Sequence, residues 1–198
     1  MCSAEPAPSP ALAGTLRAAL LRVARGAIAY GLQHGHPPPL DPGRFDRSLS
    51  EHRATFVTLQ EHGELRGCIG ALEPRRTLVE DVNHNAFAAA FQDPRFRPLG
   101  PGELDRVRIE ISVLSPPEPV AAESEEDLLA RLRPGVDGLI LEEAGRRATF
   151  LPSVWESLPG PRRFLRQLKR KAGLAPDYWS RSLAVWRYTT ESFGEPEG

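Results

Sequence analysis

An α+β fold, with a mainly antiparallel sheet flanked by helices, is predicted by three features of the chain. Two pairs of strand-like segments face each other across short turns, at Glu61-His62-Gly63 and at Glu143-Ala144-Gly145. Longer stretches carry apolar residues at steps of three and four, the period of a helix with one buried face. No β–helix–β unit repeats, so a doubly wound parallel sheet is not expected.

Taken in order, residues 1–10 hold three prolines and small side chains, which predicts a frayed tail. From Ala11, the residues Leu12, Leu16, Leu20, Val23, Ala27 and Ile28 define a helix with one buried stripe, ending near Gly31–Gly35 before Pro37-Pro38-Pro39. Ala54–Leu59 is β-branched and aromatic, and Leu65–Leu72 returns as its hairpin partner. Thr77-Leu78-Val79-Glu80 is a capping box opening a helix that runs to about Phe91, before Asp93-Pro94. On that helix Asp81, His84, Asn85 and Ala88 fall in the narrower, polar arc. Asn83 falls in the apolar arc, so it is expected to be buried and to need partners.

Val107–Val113 alternates apolar and polar residues, as a strand with one wet face does, and the prolines at 116, 117 and 119 end it in an extended connector. Glu125–Leu132 suits a short helix, and Gly138–Glu142 with Arg147–Leu151 suits a hairpin. A single helical turn follows at Val154–Leu158. Pro161 then starts a helix that closes at Gly173. Leu183–Tyr188 reads as a closing strand and Gly194–Gly198 as a polar tail.

A chain of 198 residues fits one domain, or one domain with a smaller lobe. At that length folding buries roughly 70% of the surface the unfolded chain exposes, enough for a core without staples. The net charge of -1 steers the chain toward neither nucleic acid nor an anionic membrane. The two cysteines, Cys2 and Cys68, exclude a disulfide framework and point to a reducing, cytoplasmic setting. The first apolar segment is interrupted by Arg17, Arg22 and Arg25, so it reads as neither signal peptide nor membrane span.

The words of the chain resemble a known family. Leu65-Arg66-Gly67-Cys68-Ile69-Gly70 matches its six-residue signature, and Glu80-Asp81-Val82, Asn85-Ala86, Ala89-Ala90 and Asp93-Pro94-Arg95-Phe96 match the segment that follows. Ser112–Pro117, Gly135–Ile140, Leu151-Pro152, Val154-Trp155 and Lys171–Leu174 also match. On these motifs the chain is similar to the AMMECR-one domain family, whose microbial members are called AmmeMemoRadiSam system protein A. The resemblance covers most of residues 11–193. It implies two unequal lobes and a functional association with a radical SAM enzyme and a Memo-type protein. Many members carry a second cysteine where this chain has Lys169, which puts in doubt any mechanism that needs two thiols.

Around the signature, Cys68 is the candidate catalytic residue. A nucleophilic or redox role needs a thiolate, and alternation along a strand would put Arg66 on the same face to favour it. The alternative is a buried cysteine acting as a small apolar residue. Arg66 and Arg95 can clamp a carboxylate or phosphate, with Asp93 orienting either; the same groups can instead form an internal ion pair. Gly67 and Gly70 predict a bulge or a close approach to the strand, and Asn85 completes the candidate ligand-binding set with Arg66, Gly67, Gly70, Asp93 and Arg95. Asp81 and His84 read as a solvated surface pair. No spacing matches a metal site, and no Walker or Rossmann glycine pattern occurs, so no metal and no cofactor are expected.

Three functions follow. The first is a component of a radical SAM/Memo-linked system that binds a small anionic ligand beside the signature strand. The second is a non-catalytic protein-interaction module. The third, less favoured at this net charge, is an RNA-binding domain using the basic run Arg162–Lys171 with Tyr178 and Trp179.

Overall fold

The computed structural model describes residues 11–196, so the expected frayed tail and Cys2 lie outside the described residues. The described chain has four α-helices and two four-stranded antiparallel sheets, and it divides into two compact units. The α+β expectation and the two unequal lobes are what is found. One unit runs to Leu114 and resumes at Glu191, and the other is Ser115–Thr190.

The larger unit is built on helix α1 (Gly14–His34), strands β1 (Thr55–Glu61) and β2 (Glu64–Gly70), helix α2 (Leu78–Phe91), strand β3 (Val107–Leu114) and strand β8 (Thr190–Gly194). Its sheet has the order β2-β1-β3-β8. Helix α1 presents Leu20, Ala24, Ala27 and Ile28 to a core shared with Val79, Val82, Ala86 and Ala89 of α2 and with Val57, Leu59, Ile109 and Ile111 of the sheet. Gly35, with φ of 74°, ends α1 in a left-handed cap, where a glycine avoids the Cβ clash. The β1–β2 turn at His62 and Gly63 takes φ of 54° and 81°, the pair of positive values that a tight two-residue hairpin turn requires.

Helix α2 opens as its capping box predicts, with the Glu80 carboxylate accepting from both the Thr77 amide and its hydroxyl. Strand β8 is an element that the sequence patterning misses, because Thr190–Gly194 carries a single large apolar residue, Phe193. Of the expected polar tail, Glu197 and Gly198 lie outside the described residues and Glu195 is held: its amide donates to the Ile109 carbonyl at 3.0 Å, and its carboxylate pairs with Arg25.

The smaller unit has the sheet order β4-β7-β5-β6, from β4 (Glu118–Pro119), β5 (Gly138–Glu143), β6 (Arg146–Phe150) and β7 (Ala184–Tyr188). Helices α3 (Glu125–Arg131) and α4 (Pro161–Lys171) complete it. Phe164 stacks on Trp155 at 3.7 Å between centroids, and Leu165 and Leu168 are buried, as the amphipathic reading of α4 requires. The two-residue strand β4 lies in what reads as a proline connector. Its Pro119 lacks the donor a central strand needs, and β4 is accordingly at a sheet edge.

The signature strand is placed by one contact. A Cβ built on Gly67 would come within 2.2 Å of the Ala89 carbonyl oxygen, so α2 lies directly on β2 at that point. Backbone cannot rotate away as a side chain can, so Gly67→Ala is expected to lower stability by roughly 1–3 kcal/mol, the usual cost of overpacking. Urea unfolding at neutral pH checks this; an alanine variant as stable as the parent would mean that α2 is free to shift.

Candidate functional site

The β1–β2 ladder slips by one residue within the signature. Leu59 pairs with Gly67 and Gln60 with Leu65, so Arg66 is the extra residue of a bulge. This corrects the expectation that Arg66 and Cys68 share a face: a bulge interrupts the alternation on which that expectation rests. Cys68 lies opposite Thr58, whose hydroxyl reaches its Sγ at 3.4 Å. Arg66 is instead buried against the loop after α2. Its Nε donates to Glu103 Oε1 at 2.9 Å and its Nη2 to the Arg97 carbonyl at 3.0 Å.

Glu103 gathers these groups. The same carboxylate accepts from the Gly100 amide at 2.8 Å and lies 3.0 Å from Arg97 Nη1. The Arg66 hydrogen bond, joined by the Gly100 amide, holds the Glu103 carboxyl down at about 2. Glu103 is not among the residues the sequence singles out. A buried arginine needs an acid, and Glu103 stands a few positions beyond the Asp93–Phe96 loop; that requirement was the available signal.

The second cluster brings Cys68, Asp93 and Arg95 together along the open edge of β2. Asp93 Oδ2 accepts the Cys68 amide at 2.9 Å, and Arg95 Nη2 donates to the Cys68 carbonyl at 3.1 Å. Asp93 and Arg95 are themselves paired at 2.7 Å. Two side chains thus satisfy the backbone groups that a further strand would otherwise satisfy. The Arg95 guanidinium, aided by the Cys68 and Arg95 amides, holds the Asp93 carboxyl well below its ordinary range. Arg95 remains 54% exposed, and Cys68 is half-buried rather than sealed in the core.

Asn85 belongs to a third cluster. Its amide donates to the Thr55 hydroxyl at 3.0 Å and to Asp81 Oδ2 at 2.9 Å, and Asp81 also accepts the Thr55 amide and hydroxyl. Asp81 is 1% exposed, which corrects the reading of Asp81 and His84 as a solvated pair. The helical wheel assigned Asp81 to a polar arc, but nearly the whole circumference of α2 is covered by the fold. Burial raises the Asp81 carboxyl, and it lowers the His84 imidazole, with Arg76 adding to the latter. Gly70 abuts this cluster: a Cβ there would meet the Thr55 carbonyl at 2.3 Å and the Phe56 ring at 2.4 Å. The space beside both signature glycines is therefore filled by the protein's own atoms.

The fold has a known counterpart. A model of the AMMECR1 family matches residues 21–193. The chain belongs to the AMMECR1 family. It is similar to the crystal structure of an uncharacterised protein, PH0010 of Pyrococcus horikoshii, with a TM-score of 0.76 and 36% identity over 89% of each chain. A protein of Methanothermobacter thermautotrophicus is 39% identical across 89% of this chain and 92% of its own. One from Thermofilum pendens is 40% identical across 91% of both.

In this family member, Lys169 on α4 is fully buried, 2.5 Å from Glu125 and over the Trp179 ring. It is thus withdrawn from the basic face that an RNA phosphate would meet. Among the described residues no group of three or more His, Cys, Asp or Glu side chains could hold a metal, and no helix is long and apolar enough to cross a membrane.

The Glu103 cluster has a pH signature. Its folded carboxyl titrates at about 2 against an ordinary 4.5, so the stability it contributes is present above 4.5 and is lost as pH falls through that window. Asp93 acts in the same direction, whereas Asp81, raised by burial, acts in the opposite one. Glu103→Gln is expected to cost roughly 1–3 kcal/mol at pH 7 by stranding buried donors. The gap between variant and parent should close as pH falls from 4.5 toward 2. Denaturant titrations across that range measure the gap; a constant difference would remove Glu103 from the account.

Proposed function

We propose that this AMMECR1 protein is a non-catalytic docking component of a radical SAM/Memo-linked system in the cytoplasm, presenting its signature strand to a protein partner. The observation that carries the reading is that the polar groups of the signature and its flanking loop bond within the chain itself. The guanidinium of Arg66 is engaged by Glu103 and the Arg97 carbonyl. Asp93 and Arg95 are engaged by each other and by the Cys68 peptide, and Asn85 by Asp81 and Thr55. Such an arrangement stiffens a surface without assembling a nucleophile, a base and an orienting group around one reacting atom. The association with radical SAM and Memo-type partners rests on the family resemblance.

A second reading is favoured by one feature. The half-buried Cys68 thiol lies on the strand whose edge carries the 54% exposed Arg95, so a small anion beside Arg95 would sit near a thiol. Against it, Arg95 already faces the Asp93 carboxylate, which opposes the approach of another negative charge.

Co-expression with a radical SAM protein and a Memo-type protein, followed by co-purification, tests the docking reading: a complex at micromolar concentration is expected, and Arg66→Ala should weaken it by loosening the bulge. No complex at that concentration defeats the proposal. Iodoacetamide titration of Cys68 across pH separates the second reading. Reaction no faster than that of the unfolded chain is expected, whereas much faster reaction of the folded protein would favour a catalytic thiol.

A further inference from the structure

Within the larger unit, the proline-rich loop 37–45 borders an open pocket of about 480 Å³ together with α1 and Asn83 of α2. That volume lies in the range of small-molecule sites, which are mostly apolar with a few placed polar groups. The Tyr30 ring, the loop prolines and the Phe45 ring supply an apolar lining. None of this touches the signature strand or its clusters, and it forms no part of the docking reading.

Three independent features mark the pocket as built. The first is Asn83, 7% exposed and part of the lining. Its Nδ2 donates to the Pro38 carbonyl at 3.0 Å and so anchors the loop. Its Oδ1 is buried, with no hydrogen-bond partner among the described residues. A buried acceptor left unpaired costs roughly 1–3 kcal/mol, which a bound donor would relieve.

The second feature is Gly26, in the middle of α1 and facing the pocket. A glycine inside a helix costs about 1 kcal/mol relative to alanine. Gly31, on the same helix, has a packing reason, since a Cβ there would strike the Phe87 and Phe91 rings. Gly26 has none: a Cβ built on it meets nothing within 4 Å. Gly26 is exposed, and a side chain there would stand in the open space of the pocket. The third feature is Arg44, exposed at the rim, whose guanidinium makes no hydrogen bond or ion pair among the described residues. The other acid–base group of the rim, Asp41, is turned to the Gly43 amide at 3.0 Å.

We propose that this pocket binds a small amphipathic acid: an apolar, ring-sized body, an O–H or N–H donor directed to Asn83 Oδ1, and an acidic group paired with Arg44. An apolar body fills the lining, a donor completes the Asn83 acceptor, and an acid meets the Arg44 guanidinium.

Two matched probes test this on the full chain, 2-naphthoate and 6-hydroxy-2-naphthoate, which differ by a single hydroxyl donor. In titrations followed by naphthalene fluorescence, both should saturate with one site. The hydroxylated probe should bind about fivefold more tightly, the worth of one added hydrogen bond. Gly26→Leu should abolish or weaken binding of both at least tenfold while thermal stability stays at or above that of the parent, because leucine favours a helix and the space is open. Arg44→Ala should weaken both probes alike and leave the fivefold ratio intact. Asn83→Leu should erase the ratio. Absence of saturable binding by either probe, equal affinity for the two, or undiminished binding to a folded Gly26→Leu variant would each overturn the assignment.

Discussion

The Ala89 carbonyl occupies the place where residue 67 would carry a Cβ, and much of the larger unit depends on that exclusion. It lets α2 lie on β2 at backbone contact. The end of α2 then delivers Asp93 and Arg95 to the open edge of the strand, where they take up the Cys68 amide and carbonyl. The chain continues past Pro98 with Glu103 positioned to receive Arg66. The motif, glycines flanking a thiol with arginines nearby, lies at a seam between a helix and an edge strand. An edge strand with unpaired backbone groups invites pairing with other chains, and covering it with side chains removes that hazard.

The carboxylates on either side of this seam are tuned in opposite directions. Glu103 and Asp93 each accept from an arginine and from backbone amides, so their charged forms are held. Asp81 accepts only from Thr55 and Asn85 at hydrogen-bonding distance, with Arg76 no closer than 3.7 Å, and desolvation prevails. Asp81 is the most strongly desolvated of the three and has no cation within hydrogen-bonding reach, so burial outweighs its hydrogen bonds. The seam therefore tightens as pH rises from strongly acid values, while the Thr55–Asp81–Asn85 cluster is strained by ionisation. Lys169 and Glu125 are the counterpart in the smaller unit, a buried pair joining α3 to α4 and covered by Trp179.

The helices, both hairpins and the α+β class were legible because each rests on a local period or a turn residue whose physics acts over a few positions. The capping box at Thr77, the stop at Gly35 and the positive φ angles at Gly63 and Gly145 are of this kind. The short strands β4 and β8 were not legible: a strand of two residues carries no alternation, and β8 is held by its neighbour β3 rather than by its own apolar content.

The same division runs through the candidate site. Residue chemistry singled out Arg66, Cys68, Asp93 and Arg95, and the need of Asn83 for partners followed from its place on the apolar arc of α2. A one-residue bulge then separated Arg66 from Cys68. Long-range packing buried Asp81 and matched Arg66 with Glu103, a residue 37 positions away. Sequence by itself determined which groups had to be satisfied, since burial and hydrogen-bonding demand are properties of each side chain and its immediate neighbours. Only the tertiary structure decided which partner satisfied each one, because register and helix seating depend on contacts between segments far apart in the chain.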